Sequence, residues 1–418
     1  MTACGLDFGT SNTTLGIRAD GEFRLLPLDG ERSTLPSALF FDFEADQVTV
    51  GQAAIDAYVS GIEGRLMRSI KSMLGTDLID ADTALRKGRI SFRAVIATFL
   101  KAVKERAEAA QGGELTDVVL GRPVHFVDGD PAGDAAAEET LGEIARSVGF
   151  HAISFQYEPI AAALDYEQQV NAEELALIAD IGGGTSDFSI VRIGPDRRGK
   201  ADRSEDILAN DGIRVGGTDF DRDLSLATAM PLLGHGSAMK RAGLLAPKHL
   251  FLDLATWSKI NFLYTAKAMA ELERLHRDSA APDRIERLIG VVEHRLGHAL
   301  AMAVERTKIA LSDGPEAGLA LDWGNGDLTR PVTVTELNEA TGTLAGRIGA
   351  RVRACLAEAG TRAERIDAVF LTGGSTLLPQ VRASILAEVP GARVVEGNIF
   401  GSVGLGLTIE AGRRYGIA

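Results

Sequence analysis

The chain has 418 residues, a hydrophobic fraction of 45%, a charged fraction of 24% and a formal net charge of −14. This length allows two domains or one large divided domain, and the composition is that of a globular protein. The negative charge argues against nucleic acid as the main partner, because a phosphate backbone would be repelled. Two cysteines, Cys4 and Cys355, give no disulfide framework. Neither a secretory signal nor a membrane-spanning run is visible, so we expect a cytoplasmic protein that does not act at a membrane.

Apolar periodicity predicts an alternation of strands and helices along the chain. A strand pair with a glycine turn occupies 1–28, strand-like segments and a helix occupy 34–60, and an amphipathic helix covers 91–111. A buried strand in LTDVVLGRPVHF, a helix, another strand and the Pro-led helix EPIAAALDYEQQ follow. The region 223–310 is largely helical, and LATWSKINFLYTAKAMAELERL and RIERLIGVVEHRLGHALAMAVERTKIALSD each read as one helical span. This alternation predicts an α/β fold.

Two similar glycine-turn hairpins lie far apart in the chain. The segments are ACGLDFGTSNTTLGI near the N-terminus and LALIADIGGGTSDFSIVRIG over 175–194. Each reads as an apolar strand, an Asp, a glycine turn, Thr-Ser, an Asn or Asp, and a second apolar strand. Asp7 and Asp180 occupy the same place in the two copies. This repetition predicts a pseudo-symmetric protein with two lobes.

The chemistry of the hairpins points to a phosphate ligand. Phosphate oxygens need several converging backbone N–H donors, and glycine allows close approach to the backbone. Hydroxyl groups in both turns would add donors: Thr10, Ser11, Thr185 and Ser186. Asp7, Asp180 and Asp187 would repel phosphate unless they anchor a hydrated Mg²⁺, which is typically held by few carboxylates. The alternative is two ordinary hairpins in which Asp is favoured as a turn residue.

Two further segments are candidate sites. Gly373-Gly374-Ser375 in LTGGSTLLPQV joins a strand to a helix, whose free N–H groups could meet a ligand. A tight turn with Ser375 as helix cap is the alternative. Glu158 precedes Pro159 in YEPIAAALDY and would order metal-bound water, or would simply complement the helix dipole.

Two other patterns are interpreted as non-functional. GPDRRGKA, residues 194–201, fits G-x-x-x-x-G-K, but Ala201 stands where a P-loop needs Ser or Thr, so we take it as a solvated turn. His294 and His298 lie four residues apart on a predicted helix, but Arg295 replaces the glutamate of a zinc protease. They are interpreted as surface or core histidines.

These segments together resemble the actin, sugar-kinase and heat-shock protein 70 superfamily. GLDFGTSNTTLGI is similar to its first phosphate motif, LIADIGGGTSDFSIV to its second, and VFLTGGSTLLP to its adenosine motif. RSIKSMLG, YEPIAAALDY, VGGTDFDRDL and VERTKIALS resemble segments of the heat-shock protein 70 (DnaK-like) branch. The GRPV, FQYEP and DLATW segments are similar to those of short YegD-like chaperones, so we expect no substrate-binding domain and no stable binding of unfolded peptides.

The resemblance implies an α/β, two-lobed actin-like ATPase fold with a ribonuclease H-like core sheet of five strands in each lobe. Lobe I is expected over 1–178, with its core at 1–38 and 112–178 and an insert at 39–111. Lobe II is expected over 179–418, with its core at 179–222 and 339–395, a helical insert at 223–338, and 396–418 returning to lobe I.

The resemblance also implies ATP or ADP with Mg²⁺ as cofactors. Catalytic roles fall to Lys71, Glu158, Asp180 and Asp7, and metal contacts, mostly through water, to Asp7, Asp180 and Asp187. The expected nucleotide-binding residues are Gly9, Thr10, Ser11, Asn12, Gly182, Gly183, Gly184, Thr185, Gly216, Gly217, Glu305, Lys308, Ile309, Ser312, Gly373, Gly374, Ser375 and Leu377. Ile309 and Leu377 stand where the family carries two arginines that sandwich adenine, so we expect micromolar or weaker ATP binding.

The expected function is that of a molecular chaperone or nucleotide-switched regulator with slow Mg²⁺-dependent ATP hydrolysis. We expect a monomer whose partners are the nucleotide and a client or co-chaperone protein. Two alternatives share the fold: a small-molecule kinase and an actin-like filament-forming ATPase. A kinase needs an aspartate base in a substrate pocket, for which no motif is found, and a filament protein would polymerise when ATP is added.

Overall fold

The computed structural model describes residues 2–198, 200 and 203–416. The chain divides into two compact units. The first comprises Met1–Gly216, Arg347–Thr376 and Val381–Ala418, and the second comprises Gly217–Gly346 and Leu377–Gln380. The lobe boundaries expected from the sequence stay a prediction.

The strands are Thr2–Phe8 (β1), Asn12–Ala19 (β2), Glu22–Leu25 (β3), Thr34–Pro36 (β4), Ala38–Asp42 (β5), Gln47–Val50 (β6), Gly64–Arg68 (β7), Asp82–Leu85 (β8), Gly88–Ser91 (β9), Leu115–Arg122 (β10), Ala152–Tyr157 (β11), Glu174–Ile181 (β12), Ser186–Ile193 (β13), Ile207–Ile213 (β14), Glu316–Asp322 (β15), Asp327–Thr333 (β16), Ala368–Thr372 (β17) and Arg393–Glu396 (β18). The α-helices are Gln52–Val59 (α1), Phe92–Gln111 (α2), Pro131–Ser147 (α3), Glu158–Glu167 (α4), Gly217–Thr228 (α5), Lys248–Ala255 (α6), Ala266–Asp278 (α7), Pro282–Glu293 (α8), Gly297–Asp313 (α9), Val334–Glu358 (α10), Pro379–Leu386 (α11) and Ser402–Tyr415 (α12).

Two mixed sheets in the first unit share one strand plan. The first sheet has the order β11-β10-β1-β2-β3, and β4 also pairs with β2. The second has the order β14-β13-β12-β17-β18. In each, an antiparallel hairpin, β1–β2 or β12–β13, lies beside a parallel partner of its first strand. The α/β fold is confirmed, and the internal repeat seen in the sequence extends from the hairpins to the sheets.

One apolar core joins both sheets through α4 and α12. It includes Ala3 and Val119 from the first sheet, Ile178 and Phe370 from the second, and Leu407 from α12. The helix α4 is buried on nearly every side, which explains why its middle, residues 159–164, is apolar throughout. The two hairpins therefore belong to sheets that pack on the same hydrophobic core.

Two spans that the sequence predicts as continuous helices are interrupted. The first breaks between α6 and α7, where Thr265 caps α7 by accepting a hydrogen bond from Ala268 N at 3.2 Å. The second breaks between α8 and α9, where Arg295 has a φ of 55°. A left-handed residue cannot continue a right-handed helix, so periodicity alone does not reveal the break. Consequently His294 and His298 do not share a helix, which corrects that expectation, and His298 is buried.

A histidine bridges α3 and β14 within the first unit. His125 Nδ1 lies 3.1 Å from Asp134 Oδ2, and His125 Nε2 lies 3.7 Å from Asp211 Oδ1. Arg351 of α10 donates to Asp211 from its other side at 3.2 Å. Attraction to the Asp211 carboxylate is the main cause that raises the pKa of His125 to about 9, and the hydrogen bond with Asp134 adds to it. The imidazole is therefore charged at neutral pH.

Candidate nucleotide site

The two hairpins have turns of the same construction. In the first, Phe8 pairs with Thr13, and Gly9 N donates to Asn12 O at 3.0 Å. In the second, Ile181 pairs with Ser186, and Gly182 N donates to Thr185 O at 3.0 Å. Gly9 and Gly182 are thus equivalent, and each turn contains four residues.

This equivalence corrects the sequence alignment of the hairpins. The backbone superposes Thr10-Ser11 on Gly183-Gly184, whereas the alignment paired Thr10-Ser11 with Thr185-Ser186. Ser186 points into the structure instead, and its hydroxyl donates to Val215 O at 2.6 Å. It therefore provides no donor for a ligand in the turn.

The two turns meet face to face in the first unit. A Cβ built on Gly184 would lie 2.6 Å from Thr10 Oγ1, and one on Gly183 would overlap the Ser11 side chain. Gly216 approaches the same turn from a third direction, because its Cβ would lie 2.5 Å from Gly184 N. The two glycine turns therefore lie against each other, as the sequence predicts. Whether they hold phosphates stays a prediction.

A buried charge cluster lies at the base of the turns. Lys71 Nζ donates to Glu158 Oε1 at 2.5 Å, and each side chain is 7% exposed. Lys71 comes from a short 3₁₀ turn after β7, and Glu158 begins α4. Asp180 and Asp187 are buried at the ends of β12 and β13, and Asp7 is half-buried in β1. One lysine therefore faces four carboxyl groups.

Burial and the neighbouring negative charges raise the pKa values of the three aspartates in the cluster. Burial, followed by the charge of Glu158, raises the pKa of both Asp7 and Asp187 to about 7. Burial, Glu158 and Asp187 raise the pKa of Asp180 well above its ordinary value. Burial alone would lower the pKa of Lys71, but the charges of Glu158 and Asp7 outweigh burial and raise it. The cluster therefore contains more acidic groups than its one lysine can neutralise.

Asp187 offers one carboxylate oxygen to a further ligand. Its Oδ1 accepts a hydrogen bond from Val124 N at 2.6 Å. Its Oδ2 is buried and, within the described residues, has no hydrogen bond of normal geometry, although the Thr185 hydroxyl lies near enough to lower the pKa of the carboxyl. A buried carboxylate oxygen without a donor is costly unless a cation or water reaches it. The donor set and its negative charge therefore fit a hydrated divalent cation.

The third glycine turn touches the second hairpin. Ser375 Oγ donates to Gly182 O at 3.1 Å. Gly373 has a φ of 80°, and a Cβ there would lie 2.7 Å from Asp180 Oδ1. Only glycine fits this crowded left-handed position. Gly373-Gly374-Ser375 is therefore joined to the hairpin that carries Asp180.

The remaining predicted contacts lie in the second unit. On α9, Glu305, Lys308, Ile309 and Ser312 are spaced so that they share one helix face. Lys308 is buried, contacts Asp221 Oδ1 at 2.7 Å and donates to Gly217 O at 3.0 Å. Ile309 is 55% exposed and Leu377 is 46% exposed.

A family model for "Hsp70 protein" matches residues 3–229 and 291–396, which is more than half of the chain. The chain belongs to the Hsp70 family. Its curated relatives include several proteins named Chaperone protein HscA. The one from Klebsiella pneumoniae (strain 342) is 28% identical over 404 residues, covering 92% of this chain and 53% of the relative. The one from Serratia proteamaculans (strain 568) is 28% identical over 408 residues, with the same shares. A Chaperone protein HscA homolog from Pseudomonas putida is 27% identical over 407 residues, again with 92% and 53% covered. This Hsp70-family chain thus spans about half the length of the curated relatives it matches.

Two features of this Hsp70-family chain escaped the sequence analysis. One is the Val124 N–H on Asp187, which no residue type signals because any non-proline residue supplies that donor. The other is Phe400, which is 48% exposed beside Gly374. The sequence does contain a signal for Phe400, because an aromatic residue stands in the loop GNIFGSVG directly before a helix.

The segment GPDRRGKA was interpreted as a solvated turn, and the structure describes most of it. In GPDRRGKA, Arg197 forms ion pairs with Asp206 and with Glu173, the latter at 2.7 Å, so this turn is anchored by ion pairs. Gly199 and Ala201 lie outside the described residues.

Within residues 2–198, 200 and 203–416, no group of three His, Cys, Asp or Glu side chains is placed to hold a metal directly. In the same residues, no helix is long and apolar enough to cross a membrane.

Proposed function

We propose that this Hsp70-family chain binds ATP and ADP and hydrolyses ATP slowly with Mg²⁺, as a nucleotide-switched chaperone or regulator. The observation that carries the proposal is the meeting of two matched glycine turns above one lysine and four carboxyl groups. Turns that expose backbone N–H groups bind phosphate, and buried carboxylates beside them attract a cation. Folding alone does not require that combination.

Each part of the site has a proposed role. The backbone N–H groups of both turns and the hydroxyls of Thr10 and Ser11 hold the β- and γ-phosphates. Lys71 exchanges Glu158 for a γ-phosphate oxygen and stabilises the charge that develops there in the transition state. Glu158, once released, accepts a hydrogen bond from the attacking water. Catalysis is then positioning and electrostatics, as in other phosphoryl transfers.

The acidic side chains are proposed to hold Mg²⁺ through its waters. When bound, Mg²⁺ would neutralise charge on the phosphates. Asp187 would accept hydrogen bonds from those waters through Oδ2, and Asp7 and Asp180 would accept others. Val124 N fixes the orientation of Asp187 by occupying Oδ1.

The chaperone part of the proposal rests on the relatives, which are named chaperones. The chain spans 53% of the length of these relatives, and we propose a client protein and a co-chaperone as its partners from their name alone. The proposal predicts that nucleotide state controls which proteins are retained. Pull-down from lysate with ATP, ADP or no nucleotide compares those states, and identical retention in all three contradicts a nucleotide switch.

Isothermal titration with ATP and ADP, with and without Mg²⁺, tests nucleotide binding directly. We expect one site per chain, tighter with Mg²⁺, and phosphate release below one turnover per second in single-turnover assays. Absence of binding refutes the proposal. Phosphate transfer to an added small molecule instead of water would favour the kinase alternative. A rise in light scattering on ATP addition would favour the filament alternative.

A further inference from the structure

Phe400 is an exposed aromatic side chain on an ordered loop of the first unit. It lies between β18 and α12, and 48% of its surface is exposed. Aromatic rings normally contribute to stability by burial, so a half-exposed ring in a fixed position is available for a contact. Its neighbours determine which contact that is.

Backbone hydrogen bonds fix the loop that carries the ring. Gly373 N donates to Ile399 O at 3.0 Å, which ties the loop to the glycine turn after β17. Gly401 N and Ser402 N both donate to Asn398 O at 3.0 Å. The residues on either side of Phe400 are therefore held on the turn, and the ring is presented from a defined backbone position.

The ring lies at the end of a continuous series of contacts that begins at the phosphate turns. A Cβ built on Gly374 would lie 3.1 Å from Phe400 Cε1, so the ring edge packs on that glycine. The next residue, Ser375, donates to Gly182 O at 3.1 Å. Gly183, which follows, packs against Ser11 of the opposing turn. One path of contacts from the glycine turns to Phe400 thus runs through Gly182, Ser375 and Gly374.

We propose that Phe400 contacts the nucleobase, stacking its ring on the base of a nucleotide whose phosphates lie at the two hairpins. This inference rests on the proposed function and assigns the base-binding residue of the same site. Stacking on an aromatic ring tolerates any base, because every base has a π-face. Larger purine rings bury more area against it than pyrimidines do. The site should therefore prefer ATP and GTP over CTP and UTP, and separate ATP from GTP only weakly.

The test compares a nucleotide with a ligand that lacks the base. Affinities for ATP and for inorganic tripolyphosphate, both with Mg²⁺, are measured for the wild type, Phe400→Ala and Phe400→Tyr. We expect Phe400→Ala to weaken ATP binding by about 5- to 150-fold, because removal of a base-stacking ring typically has that effect. Tripolyphosphate binding should not change, and Phe400→Tyr should stay within a few-fold of the wild type. Phe262→Ala is the matched control, since Phe262 is 42% exposed but lies in the second unit.

The outcomes separate this inference from the proposed function. Equal weakening of ATP and tripolyphosphate, or no change in either, overturns the role of Phe400 while leaving nucleotide binding intact. Failure of the wild type to bind ATP refutes the proposed function and this inference together. A Phe400→Trp variant adds a spectroscopic readout: ATP should quench its added fluorescence, and tripolyphosphate should not. Quenching by both ligands contradicts contact with the base.

Discussion

Replacing Lys71 with Ala should slow ATP hydrolysis far more than it weakens ATP binding. Lys71 Nζ is engaged with Glu158 Oε1 at 2.5 Å. Binding a phosphate therefore exchanges one anionic partner for another, and the net gain in the ground state is small. We expect the dissociation constant of ATP to rise less than about tenfold, or about 1.4 kcal/mol.

The transition state should be affected more strongly. Charge shifts among the phosphate oxygens during transfer, and a buried cation stabilises that shift because little water screens it. Removing one such preorganised group typically slows an enzyme by about 10²–10³-fold, or about 3–4 kcal/mol. The variant should also unfold more easily. Breaking a buried ion pair by removing one partner costs about 3–5 kcal/mol, because the remaining charge is left without its partner.

The assay needs binding, turnover and stability on the same variants. Isothermal titration gives the dissociation constant, single-turnover phosphate release gives the hydrolysis rate, and denaturant unfolding gives the stability. Lys104→Ala is the matched control, since Lys104 is also buried and contacts Glu108 Oε1 at 2.5 Å, but on α2. It should lose stability without losing turnover. Equal losses in binding and hydrolysis for Lys71→Ala would make Lys71 only a binding residue, and an unchanged hydrolysis rate would exclude it from the site.

Three other predictions follow from the charge clusters and the exposed apolar pair. Asp7→Ala or Asp180→Ala should abolish Mg²⁺-dependent hydrolysis. Neither variant should lower the free energy of unfolding, because the raised pKa of each carboxyl group means that its burial in the charged form is unfavourable. Unchanged hydrolysis in both variants contradicts the metal assignment. Because the pKa of His125 is raised to about 9, its stabilising contribution is complete below about pH 6.5 and is lost as pH rises through 9. Since its side chain is 36% exposed, we expect that loss to be only about 1 kcal/mol, and pH-dependent unfolding of His125→Gln should lack it. The double variant Ile309→Arg with Leu377→Arg should bind ATP about tenfold more tightly, because each arginine would make a cation–π contact with the base. If titration shows no gain in affinity, neither side chain reaches the base.

The sequence predicts local features best. Strand–turn–strand patterns around Asp7 and Asp180 place the hairpins within a residue or two, because glycine and aspartate mark turns by their own conformational preferences. Alternating strands and helices likewise predict the α/β class. The helix breaks at Thr265 and Arg295 are missed, because tertiary contacts override helical periodicity there.

Long-range contacts between a side chain and a backbone group are the part that no sequence pattern signals. Val124 reaches Asp187 through a backbone N–H, and Ser375 reaches Gly182 through a carbonyl oxygen. Neither contact constrains which amino acid supplies the backbone group, so the sequence does not reveal it. The exposure of Phe400 is also set by tertiary structure, since the same apolar letter predicts burial in most settings.

The three consecutive glycines of the second hairpin have two separate explanations. Gly183 and Gly184 lie against the opposing turn, so packing between the turns already requires the absence of a Cβ at both. Gly182 is less crowded, because a Cβ there would lie 3.8 Å from Thr185 O, and its carbonyl oxygen accepts the Ser375 hydroxyl. Glycine content alone therefore does not demonstrate a ligand.

The buried charges support nucleotide binding more strongly than the glycines do. A fold gains nothing from placing four carboxyl groups around one lysine, because burying like charges together is costly. The raised pKa values of Asp7, Asp180 and Asp187 record that cost. Such a cluster is retained when a bound cation and phosphates complete it, and this reasoning gives the acidic residues more weight than the glycines in the proposed function.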